Sequence, residues 1–111
     1  MAGTEFDFTS GRLIGSTKLD TAFTDLRRDS AGVASVELDH PGASRSVSVW
    51  LDERFPYLMA FTADTVEPSR RRRSIALEPM SCPPDALRSG TDFARLEPGG
   101  HWTGQWGIAP A

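Results

Sequence analysis

The sequence predicts an all-β fold, an antiparallel β-sandwich, and three observations carry that expectation. Short stretches alternate polar and apolar residues, the period of strands that bury one face, and turn-forming residues separate them. Ten glycines and eight prolines punctuate the chain, while no segment sustains a helical spacing of apolar residues. One run, Tyr57-Leu58-Met59-Ala60-Phe61-Thr62, is apolar on both faces. Such a strand needs cover on both sides, and hence two layers of sheet.

Taken in order, Thr4-Glu5-Phe6-Asp7-Phe8 alternates polar and aromatic residues and reads as a half-buried strand ended by Ser10-Gly11. Residues 12–26 are small and polar with few apolar anchors; they read as a loop docked on the core through Leu19, Phe23 and Leu26. Asp29-Ser30-Ala31-Gly32 is a turn, because Asp and Ser bond their own backbone and Gly accepts a positive φ. Two strands follow. Val33 to Leu38 sets Ala34, Val36 and Leu38 on one face, the Asp39-His40-Pro41-Gly42 turn leads out, and Ser46 to Leu51 points Val47, Val49 and Leu51 inward. These two are expected to pair antiparallel. After the doubly apolar strand, a polar loop holds Arg70, Arg71, Arg72 and Arg73, read as solvated and held open by mutual repulsion. A strand into Glu78, a connection over 87–91, a short strand at Phe93 to Leu96 and the Glu97-Pro98-Gly99-Gly100 turn come next. In the closing strand, His101 to Ile108, Trp102, Trp106 and Ile108 share a face, and glycines sit where another backbone comes close.

A length of 111 residues suits one domain, which buries roughly two-thirds of the surface its unfolded chain exposes. The formal charge of -3 carries no basic excess, so nucleic acid is not an expected partner. A single cysteine, Cys82, forms no internal disulfide and fits a reduced, cytoplasmic setting; flanked by prolines and without a nearby histidine, it reads as inert. No apolar run is long enough to span a bilayer, and the N-terminus lacks a basic-then-apolar targeting pattern. No membrane partner is expected.

The stretch with chemistry in it is Ser74-Ile75-Ala76-Leu77-Glu78-Pro79-Met80-Ser81-Cys82-Pro83-Pro84-Asp85-Ala86. Apolar or small residues run into one carboxylate, and Pro79, Pro83 and Pro84, which lack ladder donors, then force the chain out of the sheet. This places Glu78 at the end of a buried strand. A strand end holds a general base rigidly while the following loop leaves it open to a ligand; the plainer reading is a solvated strand terminus.

The runs Ala76-Leu77-Glu78-Pro79-Met80 and Cys82-Pro83-Pro84-Asp85-Ala86 resemble the late glutamate motif of the aldose 1-epimerase (galactose mutarotase) family. Leu19-Asp20-x-x-Phe23 and the closing Leu96-x-Pro98-Gly99 turn before a Trp-bearing strand match that family in the same order, so the resemblance covers nearly the whole chain. It implies that Glu78 is a catalytic base, that Asp20 binds substrate, and that residues 1–111 are the C-terminal portion of a galactose mutarotase-like supersandwich. A Gln common two residues after the family glutamate is Met80 here. The family's acid histidine, a second histidine and a sugar-binding arginine fall in the portion this sequence does not match, and His40 and His101 lack the surroundings to replace them.

The implied activity is interconversion of the α and β anomers of a free aldose such as galactose or glucose, with no metal or organic cofactor. Two other readings stand beside it. One is a non-catalytic carbohydrate-binding module or inactive fragment, since the chain holds a base without its acid. The other is a hexose-6-phosphate 1-epimerase, because guanidinium groups match phosphate oxygens and the four arginines precede the glutamate strand. If the chain folds alone, sheet edges that the missing N-terminal portion covers are exposed, and self-association is expected.

Overall fold

The computed structural model describes residues 3–111; Met1 and Ala2, the first residues of the N-terminus read for targeting signals, lie outside them. Six strands form two antiparallel three-stranded sheets, the all-β sandwich expected. The strands are β1 (Asp20–Phe23), β2 (Ala34–Asp39), β3 (Ser46–Leu51), β4 (Tyr57–Phe61), β5 (Ala76–Met80) and β6 (Trp106–Pro110). One sheet has the order β1-β4-β5 and the other β2-β3-β6. A 3-10 turn at Pro68–Arg70 and a single helical turn, α1 (Ala86–Ser89), complete the regular structure.

The β2–β3 pair forms as its alternation requires. Ala34 stands opposite Leu51, Val36 opposite Val49 and Leu38 opposite Val47, so the apolar sets of both strands share one face. Leu51 is 1% exposed, and with Ala34, Phe55 and Leu58 it makes the core cluster, against which Leu26, Val36 and Trp102 pack. Leu58 belongs to β4, so this cluster is where the two sheets meet. The expectation that β4 is covered on both faces holds on one side. Leu58 and Ala60 are buried, whereas Tyr57, Met59 and Phe61 are only half-buried.

Several elements differ from the sequence reading for local reasons. Residues 4–8 form turns instead of a strand, because the Asp7 carboxylate accepts the Gly3 and Thr9 N–H groups and the Thr9 hydroxyl. A side chain that bonds its own backbone competes with a ladder. These bonds, the Thr9 hydroxyl first, hold the Asp7 carboxyl down at about 2. Conversely, the expected loop over 12–26 contains β1. Buried Leu19 and Thr62 exchange hydrogen bonds just outside the strand pair, with Thr62 N–H donating to the Leu19 carbonyl at 2.9 Å and Leu19 N–H to the Thr62 hydroxyl at 2.9 Å. That clamp sets the register in which Asp20 faces Phe61. Phe93 to Leu96 is exposed chain without a strand, and Trp102 precedes β6 instead of lying in it.

The glycines of the closing segment admit rings, not backbone. A Cβ on Gly104 would lie 2.6 Å from Trp102 and 2.8 Å from Phe55, whose rings meet edge-on at 5.3 Å. Gly107 lies under the Trp50 indole in the same way, at 2.7 Å. Asp52 then ties the end of β3 to the start of β6 by accepting the Gln105 N–H at 2.7 Å.

Candidate functional site

Both carboxylates singled out in the sequence come to one sheet. Asp20 opens β1 and Glu78 is the middle residue of β5. Asp20 stands opposite Phe61, itself opposite Ala76; Ala22 stands opposite Met59, itself opposite Glu78. Paired residues, and every second residue along a strand, share a face. Asp20, Ala22, Met59, Phe61, Ala76 and Glu78 therefore lie together on the face opposite the one that carries core residue Leu58. Two strand spacings and two residues separate the carboxylates, roughly 12 Å between Cα atoms.

The strand-end placement of Glu78 needs correction. β5 runs on through Pro79 to Met80, and Glu78 is exposed instead of ending a buried strand. β5 is an edge strand paired only to β4, so a residue without an N–H is tolerated within it. The side chains of Glu78 and Asp20 make no hydrogen bond or ion pair among the described residues, which leaves both carboxylates as acceptor groups open to hydroxyl donors. Between them, half-buried Met59 and Phe61 supply an apolar floor.

The sequence reading missed two further polar groups at this face. Tyr57 has the same parity as Met59 and Phe61 and stands opposite Met80, and its hydroxyl donates to Asp92 Oδ2 at 2.6 Å. That hydrogen bond, then desolvation and the charges of Asp92, Asp25 and Cys82, raise the phenol above its ordinary value of 10.0. The one signal available was strand parity, since Tyr57 looked like a member of an apolar run. Nothing in the sequence marked Asp92.

The other candidates stand elsewhere. His40 lies in the β2–β3 turn, its Nδ1 accepting the Gly42 N–H at 3.1 Å, and His101 is exposed ahead of β6. Neither is on the β1-β4-β5 sheet. Cys82 is free and half-buried just beyond β5. Among the arginines, Arg72 is no repelled surface charge. Its guanidinium pairs with Asp64 at 2.9 Å and donates to the carbonyls of Gly15 at 2.6 Å and Thr17 at 3.2 Å, while Asp64 also accepts the Thr62 hydroxyl. Clefts of about 430 and 420 Å³ lie away from the carboxylates, the first along Ser46, Val47 and Ile108, the second along Ile14, Leu38, Arg72 and Ile75. The carboxylate face is open surface. Among the described residues, no group of three or more His, Cys, Asp or Glu side chains is placed to hold a metal, and no helix is long and apolar enough to cross a membrane.

The aldose 1-epimerase family model matches residues 1–108. The chain belongs to the aldose 1-epimerase family. Within it, the uncharacterized protein YihR of Escherichia coli (strain K12) is 30% identical to this epimerase-family chain over 95 residues. The match takes in 86% of this chain and 28% of YihR, so the chain spans little more than a quarter of the length of the curated relative it matches. No solved structure matches it.

Proposed function

We propose that this chain carries the base and one sugar-binding carboxylate of an aldose 1-epimerase, acting on the anomeric carbon of a free aldose such as galactose or glucose. The observation that carries the reading is the shared face of Glu78 and Asp20, exposed and unpaired, with Met59 and Phe61 between them. Mutarotation needs a base to take the proton from the C1 hydroxyl while an acid protonates the ring oxygen. The C1–O5 bond then breaks to the open aldehyde, which turns and recloses on its other face. Glu78 suits the first proton transfer, and Asp20 suits a charge-assisted hydrogen bond from a sugar hydroxyl.

The acid is the unmatched half. His40 and His101 lie off this sheet, and the family resemblance implies that the donor to the ring oxygen is a histidine outside the residues matched here. A well-placed acid or base contributes about a hundred- to ten-thousand-fold each. This same observation favours a second reading, a carbohydrate-binding module that retains the sugar-facing sheet without turnover.

Polarimetry of freshly dissolved α-galactose separates the two, run with the chain and its Glu78→Gln variant, in plain buffer and with imidazolium added as a surrogate acid. The expected result is an acceleration that grows with imidazolium and is lost in the variant. Sugar binding without any acceleration would select the module reading. Neither binding nor acceleration would remove both.

A further inference from the structure

We infer that Tyr57 and Asp92 form a second hydroxyl-reading pair on the carboxylate face, placed to recognise a vicinal diol of the sugar away from its anomeric carbon. The inference rests on the reading of that face as the sugar-facing one. Its basis is position first. Tyr57 pairs with Met80 and Glu78 pairs with Met59, which makes Tyr57 and Glu78 diagonal neighbours on adjacent strands. Such neighbours have Cα atoms about 7–8 Å apart. Tyr57 is thus nearer to Glu78 than Asp20 is, and the two flank Glu78 on opposite sides along the strands, so a sugar hydroxyl read by Tyr57 lies on the side of Glu78 away from Asp20.

The chemistry of the pair fits that role. The phenol is protonated at neutral pH and donates its proton to Asp92 Oδ2 at 2.6 Å. What remains is a phenol oxygen with free lone pairs beside a carboxylate whose Oδ1 makes no hydrogen bond among the described residues. Two adjacent acceptors match two adjacent O–H donors, and one of the two is charged. Asp92 is also held at φ 56°, in the left-handed region that Asp tolerates better than most residues but still seldom adopts. The chain reaches it by an excursion that leaves β5 at Met80, turns through α1 and left-handed Gly90, and comes back to the Tyr57 hydroxyl. A loop anchored in this way carries its carboxylate to a fixed place beside the glutamate strand.

The competing account is that the pair only fastens this loop, and the test must tell the two apart. Galactose affinity is measured by titration NMR for the wild-type chain, Tyr57→Phe and Asp92→Asn, together with thermal midpoints and a set of galactose analogues each lacking one hydroxyl. The expected result is a loss on the order of tenfold or more in galactose affinity for both variants. One deoxy analogue should bind the wild type as weakly as galactose binds Tyr57→Phe, and lose nothing further in that variant. Lowered midpoints with unchanged affinity, or equal losses for every analogue in the variants, would overturn the proposal and leave Glu78 and Asp20 as the sugar face. No galactose binding by the wild-type chain would overturn it together with the reading of the face. A Glu78→Gln chain that still binds galactose with the same pattern of losses would support the pair independently of the base.

Discussion

At the scale of single residues, the strictest demands in this molecule are made by glycines that carry no chemistry. Gly104 sits against Trp102 and Phe55, and an added Cβ would approach those rings to 2.6 and 2.8 Å, closer than carbon atoms pack. The rings have little room to yield. Phe55 is 8% exposed within the core cluster, and the Arg54 guanidinium lies over Trp102 at 5.8 Å. Overpacking of this kind costs about 1–3 kcal/mol, a large share of the stability of a domain this size. Gly104→Ala should therefore lower the urea midpoint clearly. Gly42→Ala is the matched control, because its Cβ would meet only the His40 ring at 3.5 Å. Its effect should stay within about 0.5 kcal/mol, and equal losses in the two variants would mean that the ring contacts at Gly104 do not set its cost. The candidate site residues make the opposite kind of demand: the side chains of Glu78 and Asp20 make no hydrogen bond or ion pair among the described residues, so replacing them should leave stability nearly untouched.

At the scale of elements, alternation made β2 and β3 legible, with the pairing of Ala34 and Leu51 following from one face being apolar. It failed where a side chain or a clamp decided the outcome instead. Asp7 turned an alternating stretch into turns, and the Leu19–Thr62 exchange accompanies a strand over Asp20 to Phe23, where strand-favouring Thr21 and Phe23 alternate with Asp20 and Ala22. Glu78 was legible from its motif, while its mid-strand position was not, because Pro79 reads as a break unless the strand is known to be an edge. The arginine loop is the further case in which pairing was invisible from sequence. Arg72 fastens it to the carbonyls of Gly15 and Thr17 and to Asp64, and the Thr62 hydroxyl and Arg72 hold the Asp64 carboxyl below its ordinary value of 3.8. A depressed folded-state value means that the native chain binds this proton less readily than the unfolded one. The stabilisation is therefore present above pH 3.8 and is lost as the pH falls through the lower folded value. Comparing urea midpoints of the wild type and Asp64→Asn across that range should show a gap at neutral pH that closes in acid. A gap that is constant with pH would mean that the ionised carboxylate does not hold the loop.

At the scale of the whole molecule, the chain is more open than its length requires. Its radius of gyration is 15.5 Å and its extents are 49 × 34 × 28 Å, against about 13 Å for a compact domain of this many residues. One edge left open is at β6. That strand pairs with β3 on one side only, and Trp106 and Ile108, which continue the apolar face of Leu51 and Val49, are 52% and 65% exposed. The apolar face built by β2 and β3 thus reaches the rim of its sheet without cover, next to a row of backbone groups on the free edge. An uncovered edge of this kind pairs with another strand when one is offered. In solution, a second copy of this chain offers such a strand. We expect sedimentation velocity to show association that rises with concentration. Ile108→Lys should suppress it, since a charge on the rim blocks both the apolar contact and close strand approach, whereas Leu13→Lys, an exposed apolar residue outside the strands, should not. A monomer at every concentration would show that Trp106 and Ile108 are tolerated as open surface. Association that both variants leave intact would assign the contact to a surface other than β6.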